Sequence, residues 1–379
     1  MSNKKALPLK SYDYGSACSC YMGTVIVLLG CQFLASIISI ASTVVSTVTN
    51  SGGSGLAESG DFNAAFMIFM QIATALFVYA FSKIRKYRLN YGYFTHAETK
   101  KPPTVCDYVL PVVAAAVLMS AMYLPTTWFG YFEVYVLGID SEAGAIKMDT
   151  VSSVVMIVIV TVFLAPVVEE TIYRGVLFHG LKSEMKPVKA VMLSALSFML
   201  MHMSPLQTIY QFSLGVLAAF IVYRSKKLLP AILLHAASNA IALIIECTPL
   251  GAAVGGSIEW LNNHVAAAFF ITLGLLAAGG AVLFVTVRFG FGYSRRSVEK
   301  SAAVSDGAVP ENAADQHDAD SALRTAHVCE NSVGEGVAPV ADTPAVIKAK
   351  KSMGTLKYWL TIGICAVMFI VNLIFLVIG

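Results

Sequence analysis

Long apolar stretches that alternate with short polar segments dominate the hydrophobic pattern of this chain. Each stretch is roughly 20 residues long, which is enough for an α-helix to cross about 30 Å of hydrocarbon. The pattern therefore predicts an all-α, polytopic bundle of nine transmembrane helices. The predicted spans are 22–48, 63–81, 109–128, 153–168 with an extension, 188–203, 206–223, 228–245, 265–287 and 358–378.

Lysine and arginine residues are concentrated in alternate connections between these spans, and such residues accumulate on the cytoplasmic side of membranes. The connections 49–62, 129–150 and 246–264 are instead acidic and contain Lys147 as their single lysine or arginine. We therefore expect a multi-pass protein of the cell membrane with a cytoplasmic N-terminus. After nine spans, the C-terminus is expected outside.

The composition supports this class, because 57% of the residues are hydrophobic, 13% are charged and the mean hydropathy is +0.71. The net charge of +3 is small and lies on the predicted cytoplasmic side, so it gives no indication of a nucleic-acid partner. The seven cysteines are scattered along the chain and imply no disulfide framework.

Changes in composition divide the chain into an eight-span body, a polar segment and one appended C-terminal span. Alanine, acidic residues, glycine, serine and proline dominate the polar segment, which we expect to be a disordered cytoplasmic linker. The predicted regions are an N-terminal three-span region (1–149), a core with the candidate chemistry (150–245), the eighth span with its flanks (246–300), the linker (301–350) and the last span (351–379).

The first candidate for chemistry is a pair of adjacent glutamates, Glu169 and Glu170, in an apolar stretch. Carboxylates inside a membrane are costly and are usually functional or paired. Glu170 and Arg174 are four residues apart, so they can meet on one helix face as an ion pair. Glu169 is rotated by about 100° from that face and is left free for acid–base chemistry.

Two further pairs of polar or aromatic residues at a spacing of four stand on later spans. They are Phe198 with His202, and His235 with Asn239. Counting from the nearest lysine at about 1.5 Å per residue puts Glu169 and His202 about 20 Å, and His235 about 12 Å, inside the cytoplasmic boundary. The three groups can therefore share one level of the bilayer.

These three motifs, in this order and on separate spans, resemble those of the CPBP intramembrane proteases. This family, also called Abi, groups CAAX-processing endopeptidases with proteins of bacteriocin processing and immunity. Its patterns EExxxR, FxxxH and HxxxN are complete in this chain, and the resemblance covers roughly residues 150–245. The region therefore resembles a protease core.

The resemblance implies hydrolysis of a peptide bond within the membrane. In that interpretation Glu169 and His202 orient and deprotonate a water molecule, while His235 and Asn239 stabilise the oxyanion. Arg174 and Glu170 form a structural pair, and Phe198 packs beside the site.

A catalytic zinc ion is the alternative, because one glutamate and two histidines can form a three-ligand set. Its ligands would be Glu169, His202 and His235. We favour metal-free catalysis without a cofactor, because Asn239 suits an oxyanion donor better than a zinc shell.

A second class of function stays open on the sequence alone. The polar cluster could belong to a non-proteolytic relative, such as a bacteriocin-immunity or partner-binding membrane protein, or to a transporter-like protein. In that case the cluster would bind a peptide, a proton or a partner. For the protease, the expected partners are the lipid bilayer and a membrane-associated peptide or protein substrate.

Overall fold

The structure is a computed structural model that describes residues 11–49, 59–87, 105–136, 147–204, 207–285 and 344–378, with the single positions 89 and 138. Within these residues the chain forms ten helices and no β-strand, so the all-α prediction is confirmed. The helices are α1 (Tyr14–Val48), α2 (Gly60–Arg85), α3 (Val105–Tyr135), α4 (Val151–Glu184), α5 (Pro187–Met201), α6 (Thr208–Ser225), α7 (Leu229–Cys247), α8 (Leu250–Asn263), α9 (Val265–Val285) and α10 (Pro344–Ile378).

The chain is a multi-pass membrane protein, because six of the described helices are long and apolar enough to cross a bilayer. They are α1, α2, α4, α7, α9 and residues 351–371 of α10. Each of the nine predicted spans overlaps a helix, but the count of nine stays a prediction. Helix α8 lies in a segment that the sequence predicted as a loop, where glycines interrupt the apolar pattern.

Helices α1 and α4 each begin with a capping box. Asp13 accepts from the backbone N–H of Ser16 at 2.7 Å, and the Ser16 hydroxyl lies 3.0 Å from the Asp13 N–H. Thr150 and Ser153 repeat this arrangement at the start of α4. Such a pair satisfies backbone donors that a helix leaves free at its N-terminus.

Contacts between helix ends place the starts of α1 and α10 beside the ends of α2 and α4. Tyr12, before α1, lies 2.7 Å from the Ser82 hydroxyl near the end of α2. At the end of α4, a Cβ on Gly180 would overlap Ala17, so the helices touch closely there. Basic residues such as Lys83 cluster at this end, which agrees with its predicted cytoplasmic location; the absolute orientation stays a prediction.

Helix α10 is more closely packed than the sequence suggested. Tyr358, Thr361 and Cys365 are fully buried against α1 and α5. The Tyr358 hydroxyl donates to the carbonyl of Leu193 at 3.1 Å and lies 3.2 Å from the Ser197 hydroxyl. This helix therefore forms one wall of the core, and the division into an eight-span body and an appended last span stays a prediction. Residues 301–343 of the predicted linker lie outside the described residues.

Candidate active site

Helix α4 carries both glutamates on a short α-helical turn between two π-helical segments. The segments are Ile159–Leu164 and Thr171–Phe178, and the turn between them is Ala165–Glu170. Segments of π-helix inside α-helices occur frequently at functional sites. The helix is continuous from Val151 to Glu184, although Gly175 and Gly180 lie within it.

The first π-helical segment explains how Asn239 is held. The Ala165 N–H donates to Val160, five residues back. The next donor in that pattern would be Pro166, which has no N–H, so the Thr161 carbonyl lacks its helical partner. Asn239 donates its side-chain N–H to that carbonyl at 2.7 Å. Asn239 thereby ties α7 to α4 beside the glutamates.

The predicted pair of Glu170 and Arg174 is present and fully buried. An Arg174 guanidinium N–H donates to Glu170 Oε1 at 2.8 Å, and both side chains are 0% exposed. A second guanidinium N–H donates across to the carbonyl of Gly215 on α6 at 3.1 Å. A buried charge needs such partners, because desolvation of an isolated ion is costly.

Glu170 also contacts His235, which the sequence had assigned to the side of Glu169. Nδ1 of His235 lies 3.0 Å from Glu170 Oε1, and the His235 side chain is 2% exposed. The oxygen of Glu170 thus accepts from Arg174 and His235 together. This network joins α4, α6 and α7 in the interior.

Glu169 lies on the other side of α4 and is partly accessible. Its Oε1 accepts a hydrogen bond from the side-chain amide of Gln71 at 2.8 Å. Its Oε2 lies 3.9 Å from Nε2 of His202, and the side chains of His202 and Glu169 are 22% and 18% exposed. The structure therefore brings Glu169 and His202 together, as the depth count predicted.

The orientation of His202 fixes which ring nitrogen faces Glu169. His202 ends α5, and its Nδ1 lies 2.8 Å from the backbone carbonyl of Phe198. A carbonyl only accepts, so Nδ1 carries the proton and Nε2 of the neutral ring is an acceptor. Two acceptors, Nε2 and Glu169 Oε2, thus face each other across 3.9 Å.

The phenyl ring of Phe198 packs between the charged and imidazole groups. Its centroid lies 4.6 Å from the His202 ring and 5.5 Å from the His235 ring, both edge to face. The Arg174 guanidinium carbon lies 4.4 Å from the same centroid, within the range of a cation–π contact. Tyr173 closes the cluster with its ring centroid 5.2 Å away. Phe198 therefore sets the spacing of the two histidines.

A cavity of about 250 Å³ lies beside Glu169 and His202, between α1, α2, α4 and the end of α5. Its apolar wall contains four methionines, Met67, Met70, Met201 and Met203. Its polar wall contains Gln32, Gln71 and Thr74 from α1 and α2. The cavity gives the Glu169 side of the site room for a ligand.

Of the three zinc ligands considered from the sequence, the structure brings Glu169 and His202 face to face. Among the residues that the structure describes, no three histidine, cysteine, aspartate or glutamate side chains are grouped as metal ligands. His235 contacts Glu170 through Nδ1, whereas His202 faces Glu169. No chemical step is therefore assigned to a metal ion.

Comparison with known proteins agrees with the class that the fold and the site define, a multi-pass helical membrane protein with a glutamate and histidine cluster in its interior. Residues 151–241 match the family described as Type II CAAX prenyl endopeptidase Rce1-like. This segment includes all three motifs. The match points to a CAAX-type membrane peptidase at the level of the family.

A curated relative supports the same conclusion. The "Putative membrane peptidase YdiL" of Bacillus subtilis (strain 168) is 27% identical over 123 residues, which are 32% of this chain and 50% of that protein. The chain thus spans about half the length of the curated relative it matches. No solved structure matches. The two matches confirm the resemblance to the CPBP family that the motifs predicted.

Sequence reasoning missed the polar residues that α2 contributes to the site. Gln71 and Thr74 lie in an apolar span outside the motifs, and only charged side chains and histidines had been considered inside the spans. An intramembrane glutamine is itself a signal, because it needs an interhelical hydrogen bond in a medium without water.

Proposed function

We propose that this protein is an intramembrane endopeptidase that hydrolyses a peptide bond of a membrane-associated peptide or protein. The observation that carries the proposal is the pair of facing acceptors, Glu169 Oε2 and His202 Nε2, separated by 3.9 Å. That separation is too long for a direct hydrogen bond and fits a water molecule that donates to both.

In the proposed reaction Glu169 is the general base. It takes a proton from the water while His202 Nε2 accepts the second hydrogen bond, so a lone pair of the water oxygen is aimed at the scissile carbonyl. The tetrahedral intermediate then collapses, and the proton is delivered to the leaving amine. Such a positioned base contributes about 10²–10⁴-fold to a rate.

His235 and Asn239 are the proposed hydrogen-bond donors for the oxyanion. Each already uses one N–H within the protein, so a second N–H is needed for this role. Because Nδ1 of His235 donates to Glu170, Nε2 carries a proton only when the ring is doubly protonated. Asn239 uses one amide N–H on Thr161 and retains the second.

The proposed substrate is a membrane-associated peptide that reaches the site from the predicted cytoplasmic side. The family description names prenylated CAAX ends, and extending that to this chain requires a direct test. Catalysis is proposed to need no metal ion, because the residues that could bind one are divided between Glu169 and Glu170.

The test compares the membrane proteomes of cells that express the wild type or Glu169→Gln, with new peptide N-termini as the readout. Each candidate peptide is then offered to purified protein in lipid nanodiscs. We expect Glu169→Gln and His202→Gln to lose cleavage by at least about 10²-fold while remaining folded. Glu184→Gln is the matched control, because Glu184 is a partly exposed carboxylate at the end of the same helix.

Full cleavage by both site variants would refute the proteolytic mechanism. Biological activity that survives in both variants without any cleavage would favour the alternative, a non-proteolytic membrane protein that binds a partner.

A further inference from the structure

Helix α2 supplies the direct hydrogen-bond partner of the proposed base. The side-chain amide of Gln71 donates to Glu169 Oε1 at 2.8 Å. Gln71 lies 80 positions before the segment 151–241 that matches the peptidase family. The contact therefore joins the N-terminal region of the chain to the candidate active site.

The geometry gives this contact a specific effect. A carboxylate rotates about its terminal bond unless an oxygen is held, because that torsion has a broad energy profile. The amide of Gln71 holds Oε1, which leaves Oε2 toward His202. Oε2 is itself buried and has no hydrogen-bond partner among the described residues, so its lone pairs are left for the water molecule of the proposed reaction.

We propose that Gln71 is a positioning residue that fixes the carboxylate of Glu169 for proton abstraction. The proposal rests on the proposed endopeptidase function. Gln71 touches neither the scissile bond nor the attacking water, and it acts through Glu169. Its loss should therefore lower kcat, because a misplaced catalytic group costs up to about 10²-fold in rate, and leave KM nearly unchanged.

The experiment measures kcat and KM of Gln71→Met with a peptide that the wild type cleaves in nanodiscs. Methionine keeps the length and the apolar stem but has no donor. We expect kcat to fall about 10- to 100-fold and KM to change by less than about twofold. Gln207→Met is the matched control, because Gln207 is an exposed glutamine at the start of α6 that bonds Gln211 and is not part of the cavity lining. It should leave kcat unchanged.

If Gln71→Met does not fold, Gln71→Asn replaces it, because asparagine keeps the amide but is one methylene too short to reach Glu169. Wild-type kcat in a folded Gln71 variant, with Glu169→Gln inactive, would overturn the inference and leave the proposed function standing. Absence of any cleavage by the wild type would instead reject the proposed function itself.

The hydroxyl of Thr74 is a separate observation, and it bears on what binds in the cavity beside Glu169 and His202. Thr74 is 2% exposed, and its Oγ1 has no hydrogen-bond partner among the described residues. The buried threonines Thr24 and Thr272 instead donate to the carbonyl four residues before them, at 3.0 and 2.7 Å. A buried hydroxyl without a partner costs about 1–3 kcal/mol, so a ligand that binds it gains affinity.

We infer that this cavity binds one apolar residue of the peptide substrate, with the Thr74 hydroxyl bonded to the peptide backbone. The volume of about 250 Å³ lies below the usual range for whole drug-sized ligands, about 300–1,000 Å³, and fits a short piece of peptide. Methionine walls adapt to side chains of different shape. This second inference also rests on the proposed function.

The test varies one residue beside the scissile bond of a cleaved peptide among Gly, Ala, Leu, Phe and Asp. Thr74→Val should raise KM about fivefold, which corresponds to one hydrogen bond of about 1 kcal/mol, with kcat nearly unchanged. Thr272→Val is the control, because this buried threonine bonds the Ala268 carbonyl and is not part of the cavity lining. Met70→Trp should shift the preference from Leu and Phe toward Gly and Ala. An unchanged KM in Thr74→Val, or an unchanged preference in Met70→Trp, would refute the subsite in an active enzyme.

Discussion

Replacement of Arg174 by methionine tests how the buried network supports the site. The guanidinium is buried and donates to Glu170 and to the Gly215 carbonyl. Its removal leaves the Glu170 carboxylate buried with only His235 beside it. Breaking a buried pair by removing one partner costs about 3–5 kcal/mol. At about 2 °C per kcal/mol, the melting temperature should fall by about 6–10 °C.

The chain contains its own reporters for this measurement. Cys18, Cys20 and Cys365 are fully buried free thiols, so a thiol-reactive dye in detergent reports when the helices separate. Cys247 is exposed and would react at once, so all variants carry Cys247→Ser. Cys106 and Cys329, whose side chains lie outside the described part of the chain, are replaced by serine as well. The melting temperature is read as the midpoint of the dye signal.

Two further variants give the result that would refute the reasoning. Glu170→Gln combined with Arg174→Met removes both charges and should regain more than half of the loss, because replacing a whole buried pair is often nearly neutral. Lys351→Met breaks the exposed pair with Glu184 and should cost no more than about 1 kcal/mol. A single variant that melts like the wild type, or a double variant no better than the single, would contradict the account.

Three other predictions concern the same region. Asn239→Leu should lower stability by about 1–3 kcal/mol and reduce cleavage, because the Thr161 carbonyl loses its donor; an unchanged melting curve would speak against that contact. Gly215→Ala should cost about 1–3 kcal/mol, since its Cβ would lie 3.0 Å from Ala195 Cα; wild-type stability and activity would show that α5 and α6 can separate freely. A chelator should leave cleavage intact, and activity that is lost and then restored by zinc would overturn metal-free catalysis.

The sequence predicted the helical class and the meeting of the three motifs because both follow from local rules. Runs of apolar residues determine where a helix can cross a bilayer, and the distance from basic residues sets depth. Glu169 and His202 therefore met as expected. The Glu170–Arg174 pair followed from a spacing of four residues, which one helix alone decides.

What the sequence could not predict depends on packing between helices. The contact of His235 with Glu170 is set by how α7 rotates against α4, and hydrophobic periodicity is weak in spans that are apolar all round. The bond from Asn239 to Thr161 depends on a π-helical segment that no residue pattern announces. Gln71 was overlooked because its partner is 98 residues away.

The contacts of α10 bear on when the protein becomes competent during its biosynthesis. Tyr358 packs on α5 at Ser197, directly beside Phe198, yet α10 follows α9 only after residues 286–343 have been made. All proposed catalytic residues are therefore synthesised well before α10, the helix that packs against α5. Until α10 inserts, the hydroxyl of Ser197 lacks its Tyr358 contact. A nascent chain thus contains all the proposed catalytic side chains before it contains α10, which packs against the helix of Phe198 and His202.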